Sequence, residues 1–189
     1  MPNARERILE ATYACVARYG ISKTTVEDVA KEAGLSRATV YRHFPGGKDE
    51  LVADTIRWET NRFFLRLAQA VDGAHGLDEM LVEALLFAHR AIEEHEVLQK
   101  ILQTEPDLLL PRLSTDSSRV LGFIRAFLLP AVEAHGLPPG VDPAAAAEYL
   151  SRMVLSFIAA AGRWDLTDRE QVRQLVQTEL LAGLELRLP

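Results

Sequence analysis

Apolar side chains recur every three to four residues along most of the chain, and no stretch alternates β-branched residues as a strand would. Residues 3–19 place Ile8, Ala11, Cys15 and Tyr19 at helical spacing, and Gly20 stands at the C-cap position. Thr24…Glu27 and Thr25…Asp28 both have capping-box spacing ahead of a short helix with Val26, Val29, Ala30 and Ala33 on one face. Gly34 interrupts it, and Ser36 is placed to cap a second short helix through about His43. Pro45, Gly46 and Gly47 break the pattern, and a long helix then opens near Lys48 with Leu51, Ile56, Phe63 and Leu67.

The rest of the chain stays helical. Residues 78–95 are amphipathic, and 97–105 form another apolar face that Pro106 is expected to stop. Residues 115–135 predict a long helix in which Pro130 brings a kink or an early end. Residues 137–143 are the clearest loop. There Asp142 is expected to cap and Pro143 to take the first helical position of a helix running to about 162. Thr167…Glu170 has capping-box spacing for a last helix through about Leu186. The expectation is an all-α fold.

Composition narrows the class. The 189 residues are 48% apolar, enough for a core. The single cysteine, Cys15, allows no intrachain disulfide, which suits a reducing compartment. Arg5, Glu6 and Arg7 stand where a signal peptide would place its apolar run. The longest nearly apolar segment, 153–162, is far shorter than the roughly 18 residues a membrane span requires. A cytoplasmic protein without membrane partners is expected.

The net charge of -6 is unevenly placed. Residues 1–51 carry eight Lys or Arg against seven Asp or Glu, while the remaining residues carry 13 against 20. From Ala33 to Lys48 there is no acidic residue, so this window tolerates a polyanion that the rest of the chain repels.

That window overlaps the two short helices. Two helices of about two turns joined by a glycine-containing turn make a helix-turn-helix. Ala30 permits close packing, Gly34 permits a positive φ, and Leu35 and Val40 point inward. Ser36, Arg37, Thr39, Tyr41, Arg42 and His43 are left facing outward. A helix that enters a DNA major groove needs such donors, without carboxylates next to the phosphates. Arg37 suits a guanine edge, the Thr39 methyl suits thymine, and Tyr41 and His43 suit phosphates. Thr25 and Lys48 sit at helix starts, where N–H groups and the dipole favour a phosphate.

The stretch TTVEDVAKEAGLSRATVYRHF (24–44), with Lys48 and Leu51, resembles the TetR family of bacterial transcriptional regulators. The resemblance implies a three-helix DNA-binding domain over residues 1–47. A larger helical ligand-binding and dimerisation domain over 48–189 would follow, with the first helix, about 48–70, as linker. It implies DNA contacts at Thr25, Ser36, Arg37, Thr39, Tyr41, Arg42, His43 and Lys48. It also implies a homodimer through the last two helices, a palindromic double-stranded operator, and release when a small molecule binds. The family loop before the lysine is commonly two residues, and Pro45-Gly46-Gly47 makes it three, which shifts where Lys48 meets the DNA backbone.

For the dimer face, Ala145, Leu150, Val154, Phe157, Val172, Leu175, Val176, Leu180 and Leu184 offer an apolar surface. For a pocket holding an apolar or aromatic effector, Phe87, His89, Phe123, Phe127, Phe157 and Trp164 supply the wall and Glu105 or Arg119 the polar anchor. His89…Glu93 has i,i+4 spacing but no further metal ligand, so no metal or other cofactor is expected. No Ser-His-Asp arrangement stands out, and an enzyme using the C-terminal cavity is the weaker alternative. An activator of the same fold is the other, because repression and activation leave the same residues in place.

Overall fold

The computed structural model describes residues 3–115 and 117–185, and every regular element among them is helical. The chain divides into two compact units. One comprises Met1–Leu65 and His95–Ser114, and the other comprises Arg66–Glu94 and Thr115–Pro189. The chain passes between them three times, within one helix after Leu65, between two helices after Glu94, and at the last residue of another helix after Ser114.

In the first unit, α1 (Ala4–Tyr19) opens on a capping box between Asn3 and Glu6, and Gly20 caps its end. Next come α2 (Val26–Ala33) and α3 (Arg37–His43). The following helix, α4 (Gly47–Val71), contributes its residues up to Leu65 to this unit. Ile8, Leu9, Cys15, Val29, Val40, Phe44 and Leu51 are buried together, with Leu35 and Trp58 packed against them. Ile8, Ala11, Cys15, Val29 and Val40 are positions of the expected apolar faces, whereas Tyr19, the last expected on α1, is 43% exposed and Leu9 is buried in addition.

After α5 (Leu77–Glu93) of the second unit, α6 (Glu96–Thr104) and α7 (Pro106–Thr115) return to the first unit. Ile101 of α6 and Leu109 of α7 join Ile21 and Val52 in a second buried cluster. Pro106 was expected only to stop a helix. It also starts one, because a proline at the first helical position has no N–H to leave unsatisfied.

Glu105, between α6 and α7, clasps the loop after α1. Its carboxylate accepts from the Ile21 N–H at 2.5 Å, the Ser22 N–H at 3.0 Å and the Ser22 hydroxyl. Lys100 donates to the Ala17 carbonyl at 2.7 Å, on the same end of α1. Gly20 is required here for two reasons. Its φ is +85°, and a Cβ would lie 2.7 Å from the Glu105 carboxylate.

Burial pushes the Glu105 carboxyl up, but the Ser22 hydroxyl, the Ser22 and Ile21 N–H groups and the Lys48 charge outweigh it and hold the group below the usual glutamate range. A depressed carboxyl stabilises the fold above its unfolded pKa, near 4.3, and loses that contribution as pH falls through the folded value. Glu105→Gln is therefore expected to cost about 1–2 kcal/mol at pH 7. The gap to wild type should close below about pH 4. Urea denaturation at both pH values measures this, and an equal gap at the two would refute it.

The second unit contains the end of α4, then α5, α8 (Ser117–His135), α9 (Pro143–Ala159), α10 (Arg169–Leu175), a π-helical stretch (Val176–Leu181) and α11 (Ala182–Glu185). Its buried residues include Leu81 and Leu85 of α5, Leu128 and Val132 of α8, Leu150 of α9 and Leu175 of α10. As expected, Asp142 caps α9, accepting from the Ala145 N–H at 3.0 Å, and Pro143 opens it. Two details depart from the sequence reading. α8 continues through Pro130 without ending early, because Pro130 and Ala126, whose carbonyl loses its partner, are both solvent-exposed. The last helix is capped by Asp168 rather than Thr167, whose N–H and hydroxyl both go to Asp165. Asp116 and Leu186, at the ends of two expected helices, lie outside the described residues.

Candidate nucleic-acid interface

α2 and α3 are built as the sequence requires. Of the two possible capping boxes, Thr25…Asp28 forms, with the Thr25 hydroxyl accepting from the Asp28 N–H at 3.1 Å and the Asp28 carboxylate accepting from the Thr25 N–H at 3.1 Å. Thr24 is instead buried, and its hydroxyl donates to the Gly20 carbonyl. Gly34 is left-handed at φ 63°, so the chain turns within three residues into the next cap. Arg7 reaches from α1 to the Ala33 carbonyl at 2.7 Å and satisfies one end of α2. Ser36 caps α3, its hydroxyl accepting from the Thr39 N–H at 3.1 Å and lying 3.0 Å from the Thr39 hydroxyl.

Val40 and Phe44 anchor α3 and are fully buried. The opposite face is open. Ser36, Arg37, Tyr41 and Arg42 are exposed, and Thr39 and His43 are half-buried. Ala38 is exposed between them and adds a methyl to that face. The structure thus places six of the eight expected DNA contacts on one short helix and its cap.

The other two are differently engaged. The Thr25 hydroxyl and N–H are both taken by Asp28, which leaves Thr25 without a free donor at this helix start. Lys48 donates to the Ser22 carbonyl at 2.5 Å. That contact ties the start of α4 to the loop before α2.

Ion pairing sharpens the charge argument. Arg5 is bonded to Asp54, Arg7 to a carbonyl and Arg18 to Glu32 at 3.2 Å. Among the described residues, Lys23, Lys31 and Arg42 are exposed and carry no ion pair. Lys23, in the loop before α2, is a phosphate-contact candidate that sequence reasoning passed over. It lies outside both helices, where periodicity carries no signal. Glu27 was also passed over, and its carboxylate lies 3.7 Å from the Arg37 guanidinium.

The expected effector residues lie on several elements. Phe87 and His89 are half-buried on α5, and Arg119 and Phe123 are exposed on α8. Phe127 and Phe157 are half-buried on α8 and α9. Trp164 follows α9, with the Arg163 guanidinium 4.6 Å from its ring centre. Glu105 lies in the other compact unit, committed to residues 21 and 22. A cleft of about 180 Å³ lined by His75, Glu79, Arg169, Arg173 and Gln177 includes none of them. It is smaller than the roughly 300 Å³ at which small-molecule pockets begin.

The expected dimer face also needs correction. Leu150, Val172, Leu175, Val176, Leu180 and Leu184 are buried within the single chain, so their apolarity is used in its own core. Ala145 is exposed, and Val154 and Phe157 are half-buried. No helix among the described residues is long and apolar enough to cross a membrane.

A capped helix pair that buries Val40 and Phe44 and exposes Arg37, Tyr41 and Arg42, ahead of a larger helical part, defines a helix-turn-helix protein of the all-helical kind. Residues 8–55 match the model for "Bacterial regulatory proteins, tetR family". That family is one of transcriptional regulators, and the matched residues are those of the helix-turn-helix part of this chain. The chain is 33% identical over 112 residues to the HTH-type transcriptional repressor KstR2 of Mycobacterium tuberculosis, a match that covers 58% of this chain and 56% of the relative. The chain thus spans little more than half the length of that relative.

Solved structures extend the likeness of fold over nearly the whole chain. The TetR family repressor AlkX from Dietzia superposes with a TM-score of 0.65 at 21% identity, covering 94% of this chain and 95% of that one. FadR from Bacillus subtilis, solved in complex with stearoyl-CoA, does so with a TM-score of 0.57 at 17% identity, covering 92% and 97%.

Proposed function

We propose that this protein is a ligand-responsive repressor of transcription that binds a palindromic operator through residues 36–43. The observation that carries the reading is the split of α3 between a fully buried anchor, Val40 and Phe44, and an exposed face that bears Arg37, Tyr41 and Arg42 and has no acid of its own. Residues 1–47 make the DNA-binding part, and 48–189 carry effector binding and dimerisation, in the cytoplasm. The homodimer forms through the outward side of the last helices, because their inward side is already packed. The effector is a small apolar or aromatic molecule. Stearoyl-CoA, bound in the FadR neighbour's structure, is a further probe, apolar in its acyl chain although anionic in its CoA part.

The test is selection of bound sequences from random duplex DNA at fixed salt. The expected result is a palindrome bound with a steep salt dependence, each neutralised phosphate adding about −0.9 to the log–log slope. No enrichment at low salt would remove the DNA-reading function. An enriched site without two-fold symmetry would remove the dimer. The selected site then serves as probe for release by the effector panel.

A further inference from the structure

We propose that Glu27 is a specificity-determining positioning residue, whose carboxylate orients Arg37 for base reading and keeps it from binding phosphates indiscriminately. The inference rests on the reading of α3 as the DNA-reading helix. Glu27 sits in the first turn of α2 and Arg37 at the first position of α3, with Oε2 and Nη1 3.7 Å apart. Both side chains are largely exposed, at 76% and 60%, so neither is needed to fill the core. The nearest acid in α2, Asp28, is occupied in the capping box with Thr25, so Glu27 is not required as a cap.

The placement has an electrostatic consequence. The chain is free of acid from Ala33 to Lys48, yet folding returns one carboxylate to the face of α3, beside the arginine best placed for a base edge. A carboxylate there would be a defect if the face only bound phosphates. It acquires a use if its charge draws the Arg37 guanidinium, to which it makes an ion pair at 3.7 Å without a hydrogen bond, toward one preferred plane. Bidentate recognition of guanine O6 and N7 depends on that plane, whereas a phosphate accepts an arginine in many orientations. The same negative charge repels phosphates, which weakens binding to unrelated sequences most, because such binding is almost wholly electrostatic.

The experiment compares wild type, Glu27→Gln, Arg37→Ala and the double variant on the selected site and on random duplex, over a range of salt. Glu27→Gln is expected to bind random duplex about three- to tenfold more tightly at low salt, with a steeper salt slope, and to gain less on the selected site. The ratio of specific to non-specific affinity therefore falls. Repeated selection with Glu27→Gln should relax the base preference that Arg37→Ala also removes. In the Arg37→Ala background, Glu27→Gln should have no further effect on base preference. An unchanged affinity ratio, or a base preference that Glu27→Gln leaves intact, overturns the proposal. Failure of the underlying reading looks different, because Arg37→Ala would then leave the selected site bound as in wild type.

Discussion

Phe44→Ala is expected to destabilise the first compact unit by about 3–5 kcal/mol, the range for truncating a buried phenylalanine. Phe44 closes α3, is 0% exposed, and belongs to the cluster that contains Ile8, Leu9, Val29, Val40 and Leu51. Arg5 stands over its ring, with the guanidinium carbon 5.2 Å from the centroid. Removing the ring leaves a cavity where α1, α2, α3 and α4 meet. The surrounding backbone cannot collapse into it without moving α3. Since folded domains are marginal by only about 5–15 kcal/mol, much of the stability of this unit is at stake. Trp58 packs against the same cluster and is one of the protein's two tryptophans. In a Trp164→Phe background its fluorescence reports this unit during urea denaturation. A loss under about 1 kcal/mol would mean that Phe44 is not in a close-packed core.

Tyr41→Ala, only one turn away, should behave in the opposite way. Tyr41 is 42% exposed, and its ring edge stands beside Gly47, 3.4 Å from where a Cβ at that glycine would lie. Surface truncations of this kind stay within about 0.5 kcal/mol, so the urea midpoint should hardly move. DNA binding should weaken by at least tenfold at the selected site. A hydrogen bond to a charged phosphate is worth about 1.5–3 kcal/mol, and each 1.4 kcal/mol is a factor of ten. Tyr41→Phe separates the hydroxyl from the ring and should keep the wild-type midpoint without recovering affinity. Wild-type affinity in Tyr41→Ala would take Tyr41 out of the interface. A parallel loss of stability would mean that the ring is structural. Together the two variants test the division of α3 into an anchoring and a reading face.

Much of this was legible in order along the chain. Helix starts and stops, the Gly34 turn, the Ser36 cap, the Asp142–Pro143 start and the outward face of α3 are all local matters. They depend on residues within four positions of one another, through caps, backbone sterics and periodicity. Where two local solutions competed, the sequence did not choose. Thr25 rather than Thr24 became the cap of α2, because Thr24 is buried against the end of α1. Asp168 displaced Thr167 because a carboxylate at that position can accept from two N–H groups.

Tertiary structure alone decided the remainder. Periodicity marks the apolar stripe of Leu150, Val172, Leu175 and Leu180 but not whether it meets another helix of the same chain or a second copy, and these residues went into the chain's own core. Glu105 reads as a solitary acid between two helices, and only the fold brings it to Ile21 and Ser22, more than eighty residues away. The same holds for Glu27 and Arg37, which lie on different helices and meet only after the Gly34 turn has been made. The sequence by itself determined most of the helices and the exposed face of α3, because local hydrogen bonding and side-chain spacing are sufficient for both. Which polar groups neutralise one another, and which apolar faces remain for a partner, depend on chain segments that only folding brings within a few ångströms.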